Sequence, residues 1–268
     1  MIDNGKQNLL GVRIDAVDYD AAVGRIVAAA REGRPYGVSA LAVHGVMEAV
    51  HDPELRHRIN DLELVTADGQ PVRWALNLLH RSGLADRCYG PTLTLRVCEA
   101  AAREGLPVYL HGSRPEVVER LAGNLRERYP DLEVAGWSPS AFRQVSGDEL
   151  DALAGRIRAS GARVVFAGLG CPRQEVFAYE MRQRVRLPVL AVGAAFDYHA
   201  GLRTEPPEWV QRAGFQWAWR LAEEPSRLWR RYARTNPAFV ARVAGQRLGL
   251  WRPDPGDTRA PRAELGYA

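Results

Sequence analysis

The sequence predicts an α/β fold: a mostly parallel sheet with helices on both faces, followed by a helical appendage at the C-terminus. Short β-branched apolar runs alternate with helix-like segments up to Gly201, which is typical of a parallel sheet covered on both sides. Beyond that glycine the chain becomes helical, aromatic and basic. We therefore predict a core over residues 1–203, a basic helical appendage over 204–252 and a flexible Pro- and Gly-rich tail over 253–268.

The predicted elements follow one another in a regular order. A short strand at GVRIDAV is followed by a cap at Asp18 and an alanine-rich helix. The later strands are YGVSALAVHG, LELVTADG, LPVYLHG, LEVAGW, RVVFAGLG and LPVLAVG. The later helices are VMEAVHDPELRHRIN, QPVRWALNLL, TLTLRVCEAAAREG, PEVVERLAGNLRERYP, GDELDALAGRIRASG and CPRQEVFAYEMRQRV. In the appendage, Pro225 and Asn236-Pro237 are predicted helix starts, because proline is favoured in the first turn.

Composition excludes several classes of protein. The chain is 46% hydrophobic and 25% charged, which is ordinary for a globular protein. Its three cysteines are far apart and show no metal-ligand spacing, so we expect a reduced, cytosolic chain. The start MIDNGKQNLL lacks the apolar region of a signal peptide. No run approaches the roughly 18 apolar residues of a membrane span.

Ligands of parallel α/β sheets bind beyond the carboxyl ends of the strands. In this sequence those ends carry His44, Asp68, His111, the turn 168–175 and the segment 193–197. We therefore expect the functional site to be assembled from these positions.

Asp68 is the candidate general base, because a carboxylate at a strand end beside a ligand can accept a proton. The alternative is that it caps the helix that follows. The turn Gly168-Leu169-Gly170 is only half of a dinucleotide-binding fingerprint, so it is either a phosphate-binding turn or a tight strand-to-helix connection. Gln174, at the head of the next helix, could hold a phosphate or sugar, or could cap the helix.

Two groups of residues resemble metal ligands. His44, Glu48 and His51 have helical offsets, but His51 precedes Asp52-Pro53 and is expected to face solvent. The acidic pair Asp18 and Asp20 lies in the first connection, where capping is more common. We therefore predict no metal site and no cofactor.

Positive charge is concentrated in the appendage. Residues 209–252 contain nine arginines and two glutamates, whereas the whole chain has a net charge of only +4. Arg227, Arg230, Arg231 and Arg234 have the spacing of a single helical stripe. Such a stripe is either a solvated face or a surface that binds anions or an anionic membrane.

Several motifs together resemble one enzyme family. TADGQPVRWALNLL, RCYGPTL, LPVYLHG, GLGCPRQE, AVGAAFDYHAG, PPEWVQRAGFQWAWRLAEEPSRLWRRY and NPAFV occur in the order found in the WecG/TagA/CpsF glycosyltransferases, glycosyltransferase family 26. The resemblance extends from about Gly11 to Trp251. Its most specific parts are the G-x-G-x-P-[KR]-Q-E turn and the arginine- and aromatic-rich appendage.

The resemblance implies a Rossmann-like core whose appendage closes over the site and touches the membrane. It implies inverting transfer, without an obligatory metal, from a UDP-sugar to an undecaprenyl-diphosphate-linked sugar in cell-surface polymer synthesis. The enzyme would then be peripheral on the inner face of the plasma membrane, with no nucleic-acid partner and with a homo-oligomer possible. By the resemblance, Asp68 is the catalytic base, Gln174 lies near the substrate, and Arg220, Arg227 and Arg230 are functional arginines. The full predicted substrate-binding set is His44, Gly69, Gly168, Gly170, Gln174, Glu175, Asp197, Arg220, Arg227 and Arg230.

The sequence departs from the family pattern in two places. Counted back from Asp68, the usual Thr and Asn positions fall on Ala40 and Ala42, with His44 as the nearby polar group. Glu205-Pro206-Pro207 stands where Arg-Ala-Pro is common. The first difference leaves the donor sugar open between N-acetylmannosamine and a hexose without the acetamido group. The alternative function is that of a non-catalytic nucleotide- or membrane-binding protein. An oxidoreductase would need a complete phosphate fingerprint, which is not found.

Overall fold

The computed structural model describes residues 1–264, 266 and 267, apart from the side chains of Glu208, Arg227 and Arg231. The strands are β1 Asp3–Leu9, β2 Val12–Val17, β3 Tyr36–Leu41, β4 Leu64–Ala67, β5 Val108–Gly112, β6 Val134–Ser138, β7 Gln144–Val145, β8 Val164–Gly168, β9 Pro188–Ala191 and β10 Gly266–Tyr267. The core helices are α1 Tyr19–Glu32, α2 Val43–His51, α3 Pro53–Asp61, α4 Gln70–His80, α5 Gly90–Glu104, α6 Pro115–Arg128, α7 Gly147–Ala159, α8 Arg173–Val185 and α9 Ala195–His199. The appendage helices are α10 Glu208–Arg212, α11 Gln216–Glu223 and α12 Pro225–Arg247.

The main sheet confirms the predicted fold class. Within the described residues it has eight strands in the order β1-β2-β4-β3-β9-β8-β5-β6, and every pair is parallel except the antiparallel hairpin β1–β2. The first four strands and the last four meet where β3 pairs with β9, with Ser39 opposite Ala191. Strands from the first half of the chain thus lie on one side of β3–β9 and strands from the second half on the other. Open α/β sheets bind ligands beyond the carboxyl ends of their strands at such a change in strand order.

Apolar side chains are buried on both faces of the sheet. One face packs against α2, α3, α4, α7, α8 and the C-terminal half of α12. The other packs against α1, α5, α6 and α9. Because both faces are covered, the central strands consist almost entirely of buried residues, which explains their near-continuous apolar sequences.

Helix boundaries agree with the predicted capping in some places and not in others. Asp18 caps α1 by accepting a hydrogen bond from the N–H of Ala21, as predicted. The single helix predicted over VMEAVHDPELRHRIN is wrong. Asp52 ends α2 and caps α3, whose first residue is Pro53, so the segment forms two helices.

The appendage contains three helices. Pro225 is in the first turn of α12, as predicted, but Pro237 lies inside the same helix, so the predicted start at Asn236-Pro237 is wrong. Phe239 and Val243 of α12 are buried against the core. The long helix is therefore attached to the sheet domain by its second half. No helix among the described residues is both long enough and apolar enough to cross a membrane.

The segment after Trp251 differs from the expected flexible tail. Asn8 donates a side-chain hydrogen bond to the carbonyl of Pro253 at 2.8 Å, and the N–H of Arg259 donates to the carbonyl of Pro53 at 3.1 Å. Farther along, β10 pairs antiparallel with β7. The segment follows the surface of the core and is held there by backbone hydrogen bonds, despite its Pro- and Gly-rich composition.

Candidate active site

The carboxyl ends of four neighbouring strands meet at one edge of the sheet. β4 ends before Asp68, β3 before Ala42, β9 before Val192, and β8 at Gly168. The parallel register places Ala40 opposite Thr66 and Ser39 opposite Ala191, so these ends are level with one another. Residues that are distant in the sequence are thereby brought to one cleft.

Asp68 is half-buried at the end of β4 and is held by two backbone contacts. Its N–H donates to the carbonyl of Leu41 at 3.2 Å, and its Oδ1 accepts a hydrogen bond from the N–H of Gly90 at 2.7 Å. Gly90 is the first residue of α5. Asp68 does not cap the helix that follows it, since α4 begins after Gly69 without a side-chain cap. One carboxylate oxygen is therefore fixed by a distant helix terminus.

Burial and the neighbouring charges shift the pKa of Asp68 in opposite directions. Burial raises the pKa of its carboxyl group, while Arg87, the N–H of Gly90 and Arg220 act in the other direction. A carboxylate with a raised pKa is a stronger base, and the two guanidinium groups favour its ionised form. The surroundings thus suit an aspartate that must first be charged and then take up a proton.

Arg87 was not singled out from the sequence, although it lies in the RCYGPTL motif. It is only 5% exposed. It donates hydrogen bonds to Gln216 and, at 3.0 Å, to Gln211, and its guanidinium lies 4.2 Å from the ring centroid of Tyr89. Gln216 in turn donates to the Tyr89 hydroxyl at 2.6 Å. Arg87 therefore joins α10 and α11 of the appendage to the core beside Asp68.

Arg220 projects from α11 toward the same cleft. It lies within electrostatic range of the hydroxyl groups of Tyr232, Tyr198 and Tyr89 and of the carboxylate of Asp68. Its Nε is buried and has no hydrogen-bond partner in the described part of the chain. A buried guanidinium N–H without a partner is costly. An anionic ligand in the cleft would satisfy it.

Gln174 and Glu175 begin α8 and form a buried polar cluster with Ser39 of β3. Glu175 Oε1 accepts hydrogen bonds from the Gln174 amide at 3.0 Å and from the Ser39 hydroxyl at 3.1 Å. Burial raises the pKa of Glu175. The side-chain oxygen of Gln174 is buried and has no partner among the described residues. Ser39 thus supplies a polar group beside Ala40, which the sequence reasoning missed.

The glycines of the turn have different roles. A side chain at Gly168 would lie within 2.6 Å of the Phe196 ring, so this glycine permits close packing. Gly170 has a φ of +78° and open space around it, and it precedes a cis Cys171–Pro172 peptide bond. Gly193, with a φ of +60°, lies beside the Gln174 amide. The turn leaves room next to its backbone at Gly170 and not at Gly168.

Other predicted site residues occupy more peripheral positions. His44 is half-buried, with its Nδ1 3.5 Å from Glu48, and Gly69 precedes α4. Asp197 forms an ion pair with Arg203 at 3.3 Å, and Arg203 also pairs with Glu224 of the appendage.

The predicted arginine stripe is only partly described. Arg230 is exposed, with its guanidinium 5.4 Å from the Trp229 ring centroid. The side chains of Arg227 and Arg231 lie outside the described residues. Whether the arginines act as one surface therefore stays a prediction.

His111 is a core histidine. It is 1% exposed, stacks on Phe177 at 4.8 Å and shares a hydrogen bond of 2.8 Å with Ser138. Burial, followed by the charge of Arg156, lowers its pKa to about 4. It is therefore neutral at pH 7. Among the described residues, no three His, Cys, Asp or Glu side chains are grouped as metal ligands.

The chain matches a known protein family. The model of the glycosyl transferase WecG/TagA/CpsF family matches residues 7–253 of the 268. The match covers the main sheet from the end of β1 onward, the strand ends around Asp68 and the three appendage helices.

Proposed function

The chain belongs to the WecG/TagA/CpsF glycosyltransferase family, and from this premise we propose that it transfers a sugar from a UDP-sugar to a polyprenyl-diphosphate-linked sugar, with inversion and with Asp68 as base. Family membership makes the protein a glycosyltransferase of cell-surface polymer synthesis, with a nucleotide-sugar donor and a lipid-linked acceptor. The finer assignments below are proposals. The observation that carries them is the Asp68 carboxylate at the carboxyl edge of the sheet, whose pKa is raised by burial and lowered by the charges of Arg87 and Arg220.

In the proposed reaction, Asp68 removes the proton of the acceptor hydroxyl. The hydroxyl oxygen then forms its bond to the anomeric carbon as the bond from that carbon to the diphosphate oxygen breaks. A single displacement inverts the anomeric configuration, and UDP leaves with the bonding electrons. The proton stays on Asp68 until it is released to solvent. Gly90 holds the other carboxylate oxygen and thereby orients the base.

Negative charge develops on the leaving diphosphate, and the cleft offers cations for it. Arg220 has an unsatisfied buried N–H, and Arg87 is fixed beside Asp68. The open backbone at Gly170 and the start of α8 add N–H groups. We propose that these groups stabilise the diphosphate in place of a metal ion. Arg227 and Arg230, predicted from the family resemblance, would supply further positive charge.

The donor sugar is proposed to meet Gln174 and the end of β3. The free oxygen of Gln174 accepts a donor group such as a sugar hydroxyl or an amide N–H. Ala40 and Ala42 offer no polar side chain here, whereas the Ser39 hydroxyl is engaged with Glu175. This arrangement is compatible with N-acetylmannosamine and with a plain hexose.

We propose that the protein works on the inner face of the plasma membrane, with residues 1–203 as the catalytic core and 204–252 as the membrane-facing appendage. The high density of arginine and exposed aromatic side chains in the appendage supports this placement. Trp209 is 70% exposed and Trp229 is 52% exposed. Aromatic side chains of this kind favour the interface between headgroups and acyl chains.

The function is tested by measuring UDP release from a panel of UDP-sugars in the presence of prenyl-diphosphate-linked sugars. We expect one donor–acceptor pair to turn over, with product of inverted configuration, and Asp68→Asn to abolish turnover. If UDP-sugars bind but no pair reacts, the protein is a non-catalytic nucleotide-binding member of the fold. Retention of configuration in the product would refute the single displacement.

A further inference from the structure

An apolar groove runs along the appendage between α11 and α12. Its volume is about 750 Å³, within the range of ligand pockets. Its walls include Trp217 and Leu221 of α11 and Trp229, Tyr232 and Val240 of α12. Three of these apolar side chains are largely exposed to solvent: Val240 is 65% exposed, Trp229 52% and Trp217 38%. The groove is therefore an apolar surface that nothing in the described chain covers.

The groove is elongated because of the spacing of its residues on α12. The lining positions recur every three or four residues from Trp229 to Ala241, which keeps them on one side of the helix. At 1.5 Å per residue this side extends for about 18 Å. Leu228 and Phe239, which are buried, lie at the edge of this side, next to Tyr232. The shape suits a chain-like ligand better than a compact one.

One end of the groove is next to the candidate active site. Tyr232 lines the groove and packs edge-on against Trp217, with ring centroids 5.9 Å apart. Tyr232 also lies within electrostatic range of Arg220, whose charge in turn acts on Asp68. Arg220 has the buried N–H without a partner. A diphosphate bound at Arg220 would thus place any apolar substituent at the mouth of the groove.

We propose that this groove binds the prenyl chain of the lipid-linked acceptor, so that the first isoprene units leave the membrane and lie between α11 and α12. The proposal rests on the proposed function, which supplies a diphosphate-linked lipid as substrate. Two features favour this occupant over bulk membrane lipid. The lining extends for about 18 Å along α12, and Arg220, whose charge acts on the lining residue Tyr232, supplies a cation for the diphosphate. The groove would position the acceptor hydroxyl by holding the chain on the far side of the diphosphate.

The test uses acceptors that share one sugar and one diphosphate but carry a methyl group, a short prenyl chain or a longer prenyl chain. All are assayed by UDP release at concentrations where they stay monomeric, without membrane or detergent. Each buried methylene is worth roughly a fourfold gain in affinity. We therefore expect kcat/KM of the wild-type protein to rise at least about tenfold from the methyl to the longer prenyl acceptor.

The variant Val240→Asp places a charge in the groove at an exposed position, so the fold should tolerate it. We expect the ratio of kcat/KM between the prenyl and methyl acceptors to fall close to one. The ratio is internal to each variant and cancels any loss of folded enzyme. Leu250→Asp is the matched control: it adds the same charge at a side chain that is 81% exposed and outside the groove lining, and the ratio should keep its wild-type value.

Three results would overturn the proposal. The wild-type ratio could be near one without membrane, Val240→Asp could keep the full ratio, or Leu250→Asp could lose it equally. If Val240→Asp loses only liposome binding and keeps the ratio, the groove is a membrane contact and not an acceptor site. Absence of turnover with every acceptor, the methyl compound included, would instead refute the proposed function.

Discussion

Replacing Asp68 with asparagine separates a catalytic role from a structural one. The amide has the shape of the carboxyl group, and its oxygen can still accept the hydrogen bond from the N–H of Gly90. The substitution therefore removes charge and basicity and little else. A positioned general base contributes about 10²–10⁴-fold to a rate, which corresponds to about 3–5 kcal/mol of barrier. We expect kcat of Asp68→Asn to fall by at least about 100-fold.

Asp68→Asn should lower kcat without lowering the thermal stability of the protein. Burial raises the pKa of Asp68 in the folded state above its unfolded value. The folded state therefore binds the proton more tightly, and stability decreases as pH rises from the unfolded to the folded pKa. Below the unfolded pKa the Asp68 carboxyl is protonated in both states and does not change the free energy of unfolding with pH. Above the folded pKa the full cost of burying the ionised carboxylate lowers the free energy of unfolding. Asp68→Asn removes that penalty, so its melting temperature at neutral pH should equal or exceed that of the wild type.

Asp52→Ala is the matched control, because Asp52 is a helix cap away from the cleft. Its side chain accepts hydrogen bonds from the N–H groups of Glu54 and Leu55. Loss of such a cap costs about 1 kcal/mol, or roughly 2–4 °C in a protein of this size. Turnover by the folded fraction should be unchanged. The catalytic assignment is refuted if Asp68→Asn keeps wild-type turnover, or if its activity falls only in step with a lowered melting temperature.

Four further predictions concern the surroundings of the site. Arg87→Lys keeps the charge but loses the rigid guanidinium fork that donates to Gln216 and Gln211 from two separate nitrogens. We expect kcat/KM to fall about tenfold and limited proteolysis to cut the appendage faster. An unchanged digestion pattern would contradict the docking role. Glu175→Gln replaces an acceptor-only carboxylate by an amide that can also donate, so the Gln174 side chain is no longer held in one orientation and donor KM should rise. Thermal stability at neutral pH should hold or increase, because burial raises the pKa of Glu175 and makes its ionised carboxylate costly. EDTA should leave UDP release unchanged, and loss of activity restored by magnesium or manganese would show a metal requirement. Arg230→Ala combined with Arg234→Ala should weaken binding to anionic liposomes by roughly 30-fold, at about 1 kcal/mol for each arginine. Binding of the wild-type protein should also weaken as the salt concentration rises. Salt-independent binding would refute the electrostatic contact.

The strand–helix alternation could be predicted because burial on both faces leaves a direct mark in the sequence. Strands such as β8 and β9 are apolar at nearly every position, and side-chain caps at Asp18 and Ser146 begin α1 and α7. The exceptions are segments whose structure depends on distant partners. Pro237 continues a helix that is held by the packing of Phe239 and Val243 on the core. The C-terminal segment has the composition of a loop, yet it is ordered by hydrogen bonds to residues some 200 positions earlier.

The candidate site is harder still to predict from the local sequence, because its side chains are positioned by distant residues. A strand end before a glycine predicts the position of Asp68 in the fold, but a helix cap and a general base would have the same local sequence. What separates them is the N–H of Gly90, which occupies one carboxylate oxygen, and the two guanidinium groups that arrive from other elements. Arg87 owes its position to two glutamines more than 120 residues away. Its sequence neighbours give no sign of that contact, so only the folded chain distinguishes it from the many surface arginines.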